Sequence, residues 1–65
     1  MGIWFMITFE NCNSGETKRF ELFNPTLDAK SAWLEAVAYA HGEWDKLFAE
    51  DKYWVLKEIR DNVRR

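Results

Sequence analysis

The stretch that decides the fold is Ile3-Trp4-Phe5-Met6-Ile7-Thr8-Phe9-Glu10. β-branched and aromatic residues dominate it, and alternate residues of a strand point to opposite faces. A turn-forming stretch follows at residues 11–16, in which Gly15 can adopt a positive φ at no steric cost. Residues 17–23 then alternate again. The pattern predicts an antiparallel hairpin with strands near residues 3–11 and 17–23.

Burial predicts the register of this hairpin, because paired residues share a face and a slip of one residue exchanges the faces. With Ser14-Gly15 at the tip, Phe9 pairs with Phe20 and Ile7 pairs with Leu22. The predicted inner face then consists of Ile3, Phe5, Ile7, Phe9, Phe20 and Leu22. On the outer face, polar residues lie toward the turn and apolar residues toward the open end: Trp4, Met6, Thr8, Glu10, Arg19, Glu21 and Phe23.

A first helix is predicted over residues 27–41. Pro25 ends the preceding strand, since proline cannot donate to a ladder, and Thr26 or Asp28 is a suitable N-cap. The segment is rich in alanine and carries apolar residues at helical spacing. Gly42 is the expected C′ residue, because glycine readily adopts the left-handed conformation that ends helices.

A second helix is predicted over residues 43–63, where apolar residues form a broad arc at 100° per residue. An alternative is that Asp51 acts as an N-cap and splits this helix. The predicted fold is therefore α+β, with a ββαα order: one compact domain, residues 1–65, in which a two-stranded antiparallel hairpin packs on two antiparallel helices. The predicted buried residues are Ile3, Phe5, Ile7, Phe9, Phe20, Leu22, Trp33, Val37, Phe48, Val55 and Ile59.

Composition excludes several classes of protein. The chain has 65 residues, 48% hydrophobic and 17% aromatic, which suits one small folded domain and not a disordered chain. A single cysteine, Cys12, excludes an internal disulfide and suits a reducing cytoplasm. The apolar N-terminus lacks the basic region of a secretory signal and is too short to span a bilayer, so a cytoplasmic protein with no membrane partner is expected.

No residue pattern predicts an active site. His41 is the only histidine and is expected simply to end the first helix, where a basic side chain complements the exposed carbonyls. Cys12 lies in the predicted turn near two glutamates and lacks the electropositive surroundings of a nucleophile. One histidine, one cysteine and scattered carboxylates do not have the spacing of a metal site. The chain is therefore predicted to be no enzyme and to bind no cofactor or metal.

Three large apolar residues of the predicted outer face carry the leading functional prediction: Trp4, Met6 and Phe23. The predicted helices cover only the inner face, and a pair of strands also leaves two open edges. Exposed apolar patches with polar rims usually mark interaction sites. These residues predict a protein partner or weak self-association, unless a helix or a chain end covers them.

Basic residues on the predicted last helix suggest a different partner. One aromatic and three basic side chains recur there at helical spacing: Tyr53, Lys57, Arg60 and Arg64. Such a stripe can contact the phosphates of a nucleic acid or another polyanion. The alternative is a structural role near the helix C-terminus, in a chain whose net charge is −2.

The chain resembles the small accessory proteins of conjugative transposons and prophages of Gram-positive bacteria. The resemblance lies in the aromatic opening at residues 3–9 and in the segment Trp33-Leu34-Glu35-Ala36-Val37. The resemblance is one of size and residue texture, and it implies an accessory role in a mobile element without naming a site. The leading hypothesis is a small interaction module that uses the outer sheet face or a strand edge. A nucleic-acid binder and a minor subunit completing another chain's active site are the alternatives.

Overall fold

The structure, a computed structural model, describes residues 2–25 and 28–63. It contains β1 (Ile3–Asn11), β2 (Thr17–Asn24), α1 (Ala29–Glu50) and β3 (Trp54–Val63), in this order along the chain. The strands form one antiparallel sheet in the order β2-β1-β3, and α1 packs across β3 and β1. The fold is α+β, but the predicted ββαα arrangement is wrong, because a third strand replaces the second helix.

The hairpin forms with the predicted inner and outer faces, but its register differs from the prediction by two residues. Ile7 lies opposite Phe20, and Phe9 lies opposite Lys18. The loop is longer than a two-residue tip: the N–H of Gly15, at φ +81°, donates to the carbonyl of Asn11 at 2.8 Å. A shift of two residues leaves every side chain on its predicted face. The Phe9 and Phe20 rings still meet diagonally, with centroids 5.6 Å apart.

The helix begins after Asp28, one of the two predicted N-caps; the other, Thr26, lies outside the described residues. The Asp28 carboxylate accepts hydrogen bonds from the Lys30 N–H at 3.2 Å and the Ser31 hydroxyl at 2.7 Å. The helix does not end at Gly42 but continues to Glu50. His41 therefore lies within the helix, and its predicted position at a helix end is wrong.

The third strand explains why the sequence suggests a second helix. Leu56 pairs with Phe9 and Glu58 pairs with Thr8, so Lys57 is one extra residue, a β-bulge. The bulge separates the inward residues Leu56 and Ile59 by three positions in place of two. That spacing imitates a helical period and hides the alternation of the strand.

The sheet contributes large side chains to the core, and the helix contributes mostly small ones. Phe5, Ile7 and Phe9 are at most 1% exposed. They meet a helix face whose buried residues are mostly small, which lets the helix lie close to the sheet: Ala32, Ala36, Ala40 and Leu47. Trp33 packs edge-on against Phe5 with centroids 5.0 Å apart. Ile3, Phe20, Leu22, Trp33 and Ile59 are half-buried at the core, and Val55 is half-buried on the outer face, opposite Glu10.

Two predicted core residues of the helix are exposed. Val37 is 38% and Phe48 is 53% exposed, so their predicted burial is wrong. A single helix on a three-stranded sheet buries only one narrow stripe, which the alanines occupy. The bulkier residues therefore lie on the flank of the helix, where a second helix had been predicted to pack.

The turn between helix and third strand is held by a network around Asp51. Its carboxylate accepts hydrogen bonds from the Asn11 side-chain amide and from the Tyr53 N–H, each at 3.0 Å. The buried Asn11 also accepts from the N–H groups of Asn13 and Ser14. These bonds lower the pKa of Asp51, the Asn11 bond first, then the Tyr53 N–H and the nearby Lys52 charge. Asp51 does interrupt the predicted second helix, but a strand follows the boundary.

Candidate interaction surface

The outer sheet face lies opposite the helix, and no helix or strand covers it within residues 2–25 and 28–63. Trp4, Met6 and Phe23, here called the aromatic patch, all lie on this face, as predicted. Trp4 is directly opposite Phe23, with ring centroids 4.9 Å apart and planes tilted by 47°. Phe23 is 43% exposed, while Trp4 and Met6 are half-buried. The three predicted residues are thus neighbours on one surface.

A glycine supports the patch from the N-terminal side. A Cβ atom placed on Gly2 would lie 2.7 Å from Cζ and 2.9 Å from Cε1 of Phe23. The carbonyl oxygen of Asn24 would lie closer still, so a side chain at residue 2 would displace the ring or the backbone beside it. The Phe23 ring is therefore held between Gly2 and Trp4. The sequence does not predict this role of Gly2, because no neighbouring residue indicates that the backbone there lies close to the Phe23 ring.

Charged residues of all three strands border the patch, and those of β1 and β3 form ion pairs. Glu21 and Arg60 lie opposite Met6 on its two sides. The Arg60 guanidinium donates twice to the Glu58 carboxylate, from Nε at 3.0 Å and from Nη2 at 2.8 Å. Lys57 Nζ lies 3.4 Å from Glu10 Oε1. The charges that β1 and β3 bring to the outer face are thus paired within the chain.

The predicted basic stripe does not exist as a helical stripe, because residues 54–63 form a strand. Tyr53 lies in the turn before β3 and is 45% exposed. Lys57 and Arg60 do share the outer face, but each contacts a carboxylate. Arg64 lies outside the described residues. The strand thus brings two of the four predicted residues together, with their charges compensated by acidic neighbours.

Other chemistry-bearing residues are dispersed. Cys12 is exposed in the hairpin turn, as expected, and its backbone N–H donates to the Tyr53 carbonyl at 2.9 Å. His41 lines a shallow groove on the helix flank with Trp44, Asp45 and Phe48. In the described part of the chain, no three His, Cys, Asp or Glu side chains are grouped so as to hold a metal ion. No helix in that part is both long and apolar enough to cross a membrane.

Comparison with known proteins supplies no relative for this surface. No family model matches the chain, and no curated protein and no solved structure is detectably similar to it.

Proposed function

We propose that this chain is a small non-enzymatic protein-interaction module, whose outer sheet face binds a protein partner with the aromatic patch as anchor. The observation that carries the proposal is an apolar patch on a sheet face that the helix leaves open, with Phe23 43% exposed. Aromatic residues and methionine are enriched at interfaces, and exposed apolar patches with polar rims usually mark interaction sites.

The patch is suited to an anchor because its largest exposed ring is already positioned. Immobilising a flexible side chain on binding costs about 0.5–1.5 kcal/mol. Phe23 is held between Gly2 and Trp4, so little of this cost arises on binding. Since the charges of Lys57 and Arg60 are compensated, the partner surface we expect is apolar at its centre and without strong net charge.

The test compares two exposed phenylalanines on different surfaces. Phe23→Thr removes the anchor and keeps a residue that suits a strand, whereas Phe48→Ala alters the helix flank and keeps helix propensity. Each variant and the wild type is immobilised for affinity capture from the host, and the captured partner is then titrated in purified form. We expect Phe23→Thr to weaken binding by about 30-fold, since truncating an anchor costs about 2 kcal/mol or more.

The Phe48→Ala variant is expected to retain the partner with unchanged affinity. Circular dichroism and the thermal midpoint of both variants show whether each remains folded. A partner that binds a folded Phe23→Thr variant as tightly as the wild type would contradict the outer face as the binding surface.

The accessory role in a mobile element, implied by the resemblance, stays a prediction beside this proposal. Polyanion binding through Lys57 and Arg60 also stays a prediction, although the helix on which it was based is replaced by a strand. Its test is fluorescence anisotropy with duplex and single-stranded oligonucleotides at low salt.

A further inference from the structure

The two edges of the sheet differ in how they are protected. At the β3 edge, the bulge at Lys57 interrupts the regular spacing of backbone groups, and Asp61 lies on the inner face beside Phe5. Trp44 Nε1 also donates to the Trp54 carbonyl at 2.8 Å. A bulge and an inward-pointing charge are devices that block edge-to-edge pairing. The β3 edge is therefore a poor template for another strand.

The β2 edge has no bulge. Its pairing with β1 runs without a register shift from Thr17 to Asn24, and proline follows only at residue 25. Its inward-facing Lys18 reaches across the sheet to Trp54, with Nζ 5.1 Å from the ring centroid, and so turns away from the edge. Among the residues that the structure describes, nothing pairs with the other side of this eight-residue, regular strand.

The backbone groups that face this open edge can be identified. The Asn11 N–H donates to the Glu16 carbonyl and the Asn11 carbonyl accepts from the Gly15 N–H, so both backbone groups of Asn11 face β2. Hydrogen-bonded and non-hydrogen-bonded pairs alternate along an antiparallel ladder. The even-numbered residues of β2 therefore turn their N–H and C=O groups toward β1. The odd-numbered residues, Thr17 to Phe23, turn theirs toward the open edge.

Charge selects one partner and one register for this edge. Arg19 and Glu21 are exposed neighbours on the outer face, and neither side chain forms a hydrogen bond or an ion pair with any residue that the structure describes. We propose that β2 pairs antiparallel with β2 of a second copy of this chain, with Arg19 opposite Glu21 of the second copy and Phe20 on the two-fold axis.

Neighbouring registers are unfavourable. Only odd-numbered residues can form hydrogen-bonded pairs across this edge, so the register can shift only by two residues at a time. The two nearest alternative registers place Arg19 opposite Arg19 or Glu21 opposite Glu21. Like charges directly opposite each other destabilise a strand pair, whereas opposite charges stabilise it. In the proposed register the two Arg19–Glu21 pairs occur together, related by the symmetry.

The inner face fits the same arrangement. Phe20 and Leu22 are only half-buried, because the helix packs across β3 and β1 and leaves β2 near its margin. On the axis, Phe20 meets its own copy as a non-hydrogen-bonded pair, in which side chains approach most closely. Both helices then lie on one side of a six-stranded sheet. Both aromatic patches remain open on the other side, so this dimer does not depend on the proposed function.

Charge exchange tests the register directly. Arg19→Glu and Glu21→Arg each place like charges opposite each other in a homodimer, and we expect each to raise the dimer dissociation constant by about tenfold. The double variant Arg19→Glu/Glu21→Arg restores opposite charges and is expected to dimerise like the wild type. An equimolar mixture of the two single variants is expected to form the mixed dimer.

Sedimentation equilibrium of the full chain over a wide concentration range measures these constants, and circular dichroism verifies the fold of each variant. Phe48→Ala serves as the control that leaves association unchanged. A wild type that stays monomeric at high micromolar concentration would overturn the proposal. The proposal is also overturned if the single exchanges leave the dissociation constant unchanged, or if the double variant does not recover dimerisation. It is overturned equally if Phe23→Thr loses association while the single exchanges keep it.

Discussion

Replacing Gly42 by alanine tests the central difference between a continuous helix and two helices. In the structure Gly42 lies within α1, exposed and without positive φ, and an added Cβ atom has no neighbour within 4 Å. Alanine is favoured over glycine in a helix interior by about 0.8–1.0 kcal/mol. We therefore expect Gly42→Ala to stabilise the protein by about 1 kcal/mol.

The sign of this change distinguishes the two arrangements. At the C′ position of a helix that ended there, residue 42 would adopt the left-handed conformation, and alanine would cost about 1–2 kcal/mol. For a domain of this size, a stabilisation of 1 kcal/mol raises the thermal midpoint by about 4–8 °C. Thermal and urea denaturation followed by circular dichroism measure the shift.

Gly15 provides the matched control. It has a φ of +81° and also has open space around it, so Gly15→Ala isolates the cost of the backbone conformation. We expect Gly15→Ala to lower the midpoint while Gly42→Ala raises it. A fall in the midpoint for both variants would refute the continuous helix.

Two further predictions concern the core and the helix–strand junction. Phe5→Ala removes a ring that is 1% exposed and packs against Trp33, and it should cost about 3–5 kcal/mol of stability. That loss is enough to unfold so small a domain at 37 °C, which circular dichroism measures. The control Leu34→Ala, on the exposed helix flank, should change stability by at most about 0.5 kcal/mol. Hydrogen bonds hold the folded-state pKa of Asp51 below 3.8, so the unfolded chain binds more protons in acid. The stability that ionised Asp51 contributes is therefore complete above about pH 5. It is lost as the pH falls through 3.8 and then through the folded-state pKa. The urea midpoint of wild type should therefore fall more steeply with acid than that of Asp51→Asn, and parallel curves would contradict this role.

The hairpin and the start of the helix are predictable from sequence because their signals are local. Alternation from residue 3 onward sets the faces, and Asp28 caps the helix. The exact register depends on how many residues the turn contains, which Asn11 decides by accepting hydrogen bonds from Asn13 and Ser14. Such local competition among turn geometries is not visible in the pattern of apolar residues.

The third strand was missed for a different reason. The bulge at Lys57 breaks its alternation, and pairing with β1 overrides the helical spacing. A signal was nevertheless present, because an isolated two-stranded hairpin is only marginally stable and a third strand would give β1 a neighbour on each side. Val55, Ile59 and Val63 are β-branched and supply the one remaining segment that could be that neighbour.

The unequal edges also determine how far assembly can proceed. A sheet open at both edges would add copies without limit, because pairing one edge would leave the other free. Here β3 is blocked by its bulge and by Asp61, so each chain offers only the β2 edge. An edge that pairs with itself about a two-fold axis is an isologous contact and closes at two copies. Removing both devices, by deleting Lys57 and introducing Asp61→Val, should therefore convert a closed dimer into longer assemblies, which sedimentation velocity would detect.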